Sequence, residues 1–121
     1  MARTALTKYN ALGAFPSLPL SATAADLTMA AADTVNKNQC VATGNDLIIV
    51  WNSGVSPYTV TVTSAPTPHT KRSGDITAYS VAAGVISVLG PFIKDGWMQT
   101  DGNLYFEANN AAVKFAVVAL S

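Results

Sequence analysis

The sequence predicts an all-β protein, an antiparallel β-sandwich of the jelly-roll type built from about eight short strands. Short segments rich in valine, isoleucine, threonine and aromatic residues recur at the spacing expected of such strands. Turn-forming residues separate them, and no helical segments alternate with them as in a parallel α/β sheet. A chain of 121 residues suits one core. We place the sandwich domain at residues 26–121 and an extended N-terminal arm at residues 1–25.

The arm is predicted to be extended because Pro16 and Pro19 exclude a helix and favour extended geometry in the residues before them. Its large apolar side chains are more numerous than a solvated tail would carry. They are expected to lie in a groove, on their own domain or on a neighbouring molecule. We favour another subunit or a partner protein, with Arg3 and Lys8 facing acidic groups on it. The predicted contact residues are Arg3, Leu6, Lys8, Leu12, Phe15, Pro16, Leu18, Pro19 and Leu20.

The segment at residues 21–33 supports two interpretations. Its alanines favour a helix, whereas the alternation of Leu27, Met29 and Ala31 with small or polar neighbours favours a strand at residues 26–31. We adopt the strand. A loop then leads to a short predicted strand at residues 39–43.

The centre of the chain, residues 46–64, reads as a β-hairpin. Residues 47–51 form an apolar run typical of a strand buried on both faces. In the second strand, Tyr58, Val60 and Val62 alternate with threonines, which places the three on one face. Between the two runs, Gly54, Pro57 and their polar neighbours supply turn chemistry.

The second half of the chain follows a polar loop at residues 65–75 and contains five predicted strands. Turns at residues 82–84 and 101–103 are expected to join neighbouring strands as hairpins. Gly90-Pro91 is expected to end the second of these strands. The last strand is the most apolar of the five. With residues 47–51, it is predicted to be among the best-buried strands. The five strands are at residues 76–81, 85–89, 97–100, 104–108 and 113–120.

Charge and hydropathy exclude several classes of function. Seven Lys and Arg residues balance seven Asp and Glu residues, and only 12% of residues are charged, so a basic surface for nucleic acid is not expected. No apolar run approaches the roughly 20 residues of a membrane-spanning helix, and the first residues do not read as a signal peptide. A neutral, weakly charged surface favours a protein whose surface is occupied by partners.

No catalytic, cofactor-binding or metal-binding residue is assigned. His69 lies beside Lys71 and Arg72 in a proline-rich loop without a carboxylate to orient it, so a solvated histidine is expected. Cys40 is the only cysteine and is predicted to be a small buried side chain. Carboxylates converging from distant strands would allow hydrolysis, which sequence leaves open. An aromatic sugar-binding face also stays open, formed from Trp51, Tyr58, Tyr79, Trp97, Tyr105 and Phe106.

The order of segments along almost the whole chain is a further signal. A proline-containing arm comes first, short turn-linked strands follow, and an apolar strand closes the chain. The segments that carry the pattern are residues 1–6, Pro16, Pro19, and residues 25–28, 74–79, 90–92, 96–97 and 99–102. In this layout the chain resembles the small capsid decoration, or cement, proteins of tailed bacteriophages. The jelly-roll type is the closer likeness, since the pattern of the lambda-type decoration protein is not matched.

The resemblance implies a β-rich virion protein without enzymatic activity. Such proteins assemble as dimers or trimers on the shell and hold capsomers partly through extended termini. The predicted function is therefore to bind the outside of a phage capsid and cement neighbouring capsomers. The implied partners are the major capsid protein and further copies of the chain, and the implied location is the capsid surface after synthesis in the host cytoplasm. The alternatives are a carbohydrate-binding β-sandwich module and a head-completion or tail protein of the same virion.

Overall fold

Two five-stranded β-sheets make up the chain in a computed structural model that describes residues 3–6, 8–10, 27–64, 76–94 and 96–120. No helix occurs in these ranges, and the predicted all-β sandwich is confirmed. The strands are β1 (Thr4–Ala5), β2 (Lys8–Asn10), β3 (Ala30–Ala31), β4 (Asn38–Val41), β5 (Asp46–Asn52), β6 (Tyr58–Thr63), β7 (Ile76–Val81), β8 (Ile86–Phe92), β9 (Asn103–Ala108) and β10 (Val113–Ala119).

The first sheet has the order β1-β4-β9-β6-β7, and the second has the order β2-β10-β5-β8, with β3 also paired to β10. Pairing is antiparallel except at β1 with β4 and β2 with β10, which are parallel. The sheets are therefore mixed rather than purely antiparallel, because the two N-terminal strands join from outside the antiparallel set. From β3 to β10, every connection crosses between the sheets except that from β6 to β7.

The predicted hairpin at residues 46–64 is wrong, because β5 and β6 lie in different sheets. The hairpin predicted from residues 76–81 and 85–89 is wrong for the same reason, since β7 and β8 are also in different sheets. The turn residues at both places reverse the chain as expected. They carry it across the sandwich instead of back along the same sheet.

The core lies between the sheets and is filled by alternate residues of the strands β4, β5, β6 and β9, together with most of β10. Ile48 and Val50 of β5 are fully buried there, while Leu47, Ile49 and Trp51 are half-buried on the outer face. The expectation that residues 47–51 are buried on both faces is therefore wrong for the outer face. The predicted inward set of β6 is confirmed at Val60 and Val62, which are fully buried, whereas Tyr58 is half-buried.

Two phenylalanines join the sheets at the centre of the core. Phe106 of β9 and Phe115 of β10 have ring centroids 4.9 Å apart and planes at 75°, an edge-to-face arrangement. Such pairs contribute beyond the burial of their apolar area. The last strand is well buried, as predicted, with five of its seven residues buried.

A buried asparagine explains why the chain crosses the sandwich after β5. The Asn52 side-chain amide donates to the carbonyl oxygens of Ser56 and Val81, both at 2.8 Å, and its oxygen accepts from the backbone N–H of Gly54 at 2.9 Å. The side chain is fully buried. It thus ties the end of β5 in the second sheet to the end of β7 in the first.

We expect Asn52→Ala to lower the free energy of unfolding by about 1–3 kcal/mol, because buried backbone groups lose their hydrogen-bond partners. Asn109→Ala is the matched control, since the Asn109 side chain is exposed and accepts one hydrogen bond, from the Thr59 N–H at 3.0 Å. Urea unfolding of both variants measures the difference. Equal costs for the two substitutions would contradict the role given to Asn52.

Three strand predictions differ from the structure in extent. The strand at residues 26–31 is reduced to Ala30–Ala31, and β8 continues through Gly90-Pro91 to Phe92. Residues 97–100 form turns rather than a strand, because Met98 N–H donates to the Lys94 carbonyl at 2.9 Å. The Trp97 ring also packs edge-on against Phe92 with centroids 4.8 Å apart, which holds this segment over the end of β8.

Candidate partner-contact surface

The N-terminal residues that the structure describes lie on the chain's own sandwich. β1 is the edge strand of the first sheet, and β2 pairs with β10 at the edge of the second. Between them, Leu6 donates its N–H to the Gln39 carbonyl at 2.9 Å and packs partly buried against the core. Residues 3–6 and 8–10 thus complete both sheets.

Arg3 is held by the first sheet through three contacts. Its guanidinium donates to the Asn38 carbonyl at 3.0 Å and lies 4.2 Å from the centre of the Tyr105 ring. A longer bond of 3.4 Å reaches the Phe106 carbonyl. The Tyr105 hydroxyl in turn donates to Asp101 at 2.5 Å, and this bond lowers the pKa of Asp101 and raises the pKa of Tyr105.

Lys8 forms a buried ion pair with Asp46, in which Lys8 Nζ lies 2.7 Å from Asp46 Oδ1. The Asp46 side chain is inaccessible to solvent, and 15% of the Lys8 side chain is exposed. Thr43 donates its backbone N–H to Asp46 Oδ2 at 2.8 Å and its hydroxyl to Oδ1. Burial alone raises the pKa of Asp46, but the hydrogen bonds from Lys8 and Thr43 outweigh it and lower that pKa below 3.8. The acidic group that Lys8 faces is thus in its own chain, whereas we expected it on a partner.

The other predicted contact residues, Leu12, Phe15, Pro16, Leu18, Pro19 and Leu20, lie outside the described residues. So do His69, Lys71 and Arg72. Their assignments stay predictions. Of the predicted contact set, the structure brings Arg3 and Leu6 to the first sheet and Lys8 to the second.

An open groove of about 330 Å³ lies where β2 and β3 both meet β10. At its rim, Tyr9 and Thr28 are joined by hydrogen bonds of 3.2 Å between the tyrosine hydroxyl and the threonine backbone. The lining is mostly apolar and carries no carboxylate, imidazole or thiol, so the groove suits an apolar side chain better than a reaction. It is lined by Thr4, Ala5, Leu6, Tyr9, Thr28, Ala30, Phe115 and Ala116.

The outer face of the second sheet is a second apolar surface. The register places Trp51 opposite Ile86 and Ile49 opposite Val88. Ile86 and Val88 are 60% and 58% exposed. Lys114 borders this surface, with its Nζ 5.2 Å from the centre of the Trp51 ring. We call the surface the outer apolar stripe, and define it as Leu47, Ile49, Trp51, Ile86, Val88 and Val118.

Sequence reasoning missed this stripe because it interpreted residues 47–51 as buried on both faces. The signal was nevertheless present. Residues 47–51 are apolar at five consecutive positions, and residues 85–89 are apolar except at Ser87, whereas a strand with one solvated face alternates apolar with polar residues. Apolar surfaces of this kind are typical of sites at which proteins contact other molecules.

The described residues hold no constellation for catalysis or metal binding. No group of three or more His, Cys, Asp or Glu side chains among them could hold a metal ion. Cys40 is 1% exposed, as predicted, and burial raises its pKa to about 11, which keeps the thiol protonated. Within the described ranges, no helix has the length and hydropathy to span a membrane.

Comparison with known proteins adds no relative: no family model matches the chain, and neither a curated protein nor a solved structure shows significant similarity to it. The function therefore has to be argued from the geometry of the chain itself.

Proposed function

We propose that the chain is a structural virion protein that binds the outside of a phage capsid and cements neighbouring capsomers. The major capsid protein and further copies of the chain are the proposed partners. The proposal joins the layout likeness to decoration proteins with one structural observation, the outer apolar stripe. A stripe of this kind is a surface suited to contact with another protein.

Burial of the stripe supplies the energy that the proposal needs. Transfer of apolar surface from water contributes roughly 25 cal/mol per Å², or about 1.5–3 kcal/mol for a large aliphatic side chain that becomes fully buried. Ile86 and Val88 have most of that area still exposed. On a shell, many copies make the same contact, and linked contacts hold far more tightly than one alone.

The proposed jelly-roll form of the sandwich is supported by the strand order. β3-β10-β5-β8 faces β4-β9-β6-β7, and only the connection from β6 to β7 stays within one sheet. Two interlocked Greek keys produce this kind of crossing between sheets. The proposal also retains the apolar residues of the N-terminal segment, Leu12, Phe15, Leu18 and Leu20, as further capsid contacts.

Glycan binding is the weaker candidate because two of the rings proposed for it are covered by cations of the same chain. Lys114 lies over Trp51, and Arg3 lies over Tyr105. A sugar would have to displace these side chains to stack on either ring. No described feature favours glycan binding over protein binding.

The test is co-sedimentation of the purified chain with phage heads that lack it. We expect the wild-type chain to saturate the heads at a fixed ratio to the major capsid protein. Ile49→Lys places a charge in the middle of the outer apolar stripe and should weaken binding at least about tenfold, which corresponds to roughly 1.4 kcal/mol.

Thr59→Lys is the matched control, because Thr59 is equally half-buried on the outer face of a central strand in the other sheet. This variant should bind like the wild type. A wild-type chain that does not bind heads would refute the proposal, and binding to tails instead would favour the tail alternative. Equal binding of the two lysine variants would remove the stripe from the contact.

A further inference from the structure

The four sheet edges formed by described residues differ in how well they are protected. β1, β2 and β3 are two or three residues long, which leaves little edge to pair with. β7 is longer, but its register shifts between Val60 and Val62, Ala78 has a φ of 50°, and the Ala78 N–H is taken by the Thr61 hydroxyl. Irregularities of this kind blunt an edge strand against further pairing.

β8 lacks this protection over residues 86–89. These residues pair with β5 in unbroken register, from Ile86 opposite Trp51 to Leu89 opposite Ile48. No other described strand pairs with β8. The strand contains no charged residue, and both its register shift against β5 and its proline, Pro91, lie beyond Leu89, outside the regular part. Natural edge strands of this length usually carry a charge, a bulge or a covering segment.

The hydrogen-bond pattern shows which backbone groups point away from the sheet. Asn52 donates its N–H to the Val85 carbonyl at 3.1 Å, so this carbonyl points towards β5, while the Val85 N–H donates to the Ala82 carbonyl in the preceding turn. Because these directions alternate along an antiparallel strand, Ser87 and Leu89 also point towards β5. The N–H and C=O groups of Ile86 and Val88 therefore point away from β5, at the edge where no other described strand pairs with β8.

We propose that this edge pairs with β8 of a second copy, antiparallel and about a two-fold axis at Ser87. Ile86 then lies opposite Val88 of the second copy, and the reverse pair follows by symmetry. The outward backbone groups of these residues form hydrogen bonds between the copies. The two outer apolar stripes lie on the same side and join into one surface, because the axis is perpendicular to the sheet.

The chemistry of the edge favours a second copy over an unrelated strand. An antiparallel two-fold contact is formed by the same patch of each copy, so the uncharged, aliphatic edge of one β8 faces an identical edge on the other. Neither β8 nor the chain as a whole carries a net charge to oppose this, since seven basic residues balance seven acidic ones. Aliphatic residues then face each other across the axis at Ile86 and Val88, where cross-strand pairs of β-branched residues are favourable.

The contact is short, which sets its expected strength. A pairing of about four residues a side buries less than the roughly 1,200 Å² of a stable complex. We therefore expect dimers to form only at high protein concentration, or where copies are held side by side. The inference does not require that the chain binds a capsid.

Ser87→Cys tests the register directly. In this arrangement the two Ser87 residues form a non-hydrogen-bonded pair, with Cα atoms roughly 4.5 Å apart, within the range that a disulfide spans. Mild oxidation of the full chain should give a covalent dimer. Tyr79→Cys is the control, since Tyr79 is 45% exposed on the other long edge strand, β7, and should stay monomeric. The buried Cys40 is present in both variants.

A second pair of variants tests the contact without a new bond. In sedimentation velocity, the wild-type chain should shift towards dimer as concentration rises, and Val88→Lys should stay monomeric. Val55→Lys makes the same change at a valine that is 93% exposed in a loop, and should dimerise like the wild type. The proposal is overturned if the wild-type chain stays monomeric at millimolar concentration, if Val88→Lys dimerises equally, or if both cysteine variants cross-link to the same extent. A wild-type chain that binds heads normally but forms no dimers would overturn this inference and leave the proposed function standing.

Discussion

Lys8→Met is expected to lower the free energy of unfolding at pH 7 by about 3–5 kcal/mol, because it leaves the buried Asp46 carboxylate without its charge partner. Methionine keeps most of the aliphatic length of lysine, so packing changes little. The partner is inaccessible to solvent and cannot regain water without opening the edge between β2 and β10. Urea unfolding of both proteins measures the loss.

The double variant Lys8→Met/Asp46→Asn is the control, since an asparagine carries no charge, its oxygen can still accept from the Thr43 N–H, and its amide can donate to the Thr43 hydroxyl. It should recover more than half of the stability lost in Lys8→Met. If the double variant is as unstable as Lys8→Met, the loss comes from packing of β2 rather than from the unpaired charge.

Because of the Lys8–Asp46 pair, the difference in the free energy of unfolding between the wild type and Lys8→Met should depend on pH. In the wild type the pKa of Asp46 is lowered, so its contribution to stability is present above pH 3.8 and is lost as pH falls through the lower value of the folded state. Without Lys8, the hydrogen bond and the charge that lower this pKa are lost, so the folded variant takes up a proton at Asp46 at a higher pH than the folded wild type does. The difference in their free energies of unfolding, measured by urea unfolding, should therefore become smaller as pH falls from 7 to about 4.

Phe106→Ala is expected to cost about 3–5 kcal/mol, because it removes a fully buried ring and leaves a cavity between the sheets. The substitution also removes the edge-to-face contact with Phe115. Tyr79→Ala, at an exposed aromatic residue of β7, should cost less than about 1 kcal/mol. The two variants are compared by urea unfolding. A loss below about 1.5 kcal/mol for Phe106→Ala would indicate that the sheets do not pack through this pair.

Local pattern was enough to predict which residues of a strand face the core. The alternation at residues 58–63 correctly placed Val60 and Val62 inside, and a lone cysteine in an apolar strand was correctly expected to be buried. These properties depend on nearest neighbours along the chain. The all-β class followed from the same pattern, since strand and turn residues recur along the whole sequence.

Contacts between distant residues could not be predicted in the same way. A turn such as residues 52–57 has the same composition whether it returns to the same sheet or crosses to the other one. What distinguishes the two here is the bond from Asn52 to the Val81 carbonyl, 29 positions away. The partner of Lys8 was likewise misplaced, because Asp46 is 38 positions away and nothing near Lys8 in sequence indicates it.

The parallel pairing of β2 with β10 has a consequence for the order in which the protein folds during synthesis. Lys8–Asn10 cannot pair with β10 until residues 117–119 have been synthesised. Arg3 likewise cannot form its hydrogen bond to the Phe106 carbonyl until that residue, 103 positions later, has been synthesised. Until then, Asp46 keeps its charge in water and one side of each sheet lacks its edge strand. Because closing so long a loop costs entropy before any contact repays it, we expect this pairing to form late and slowly.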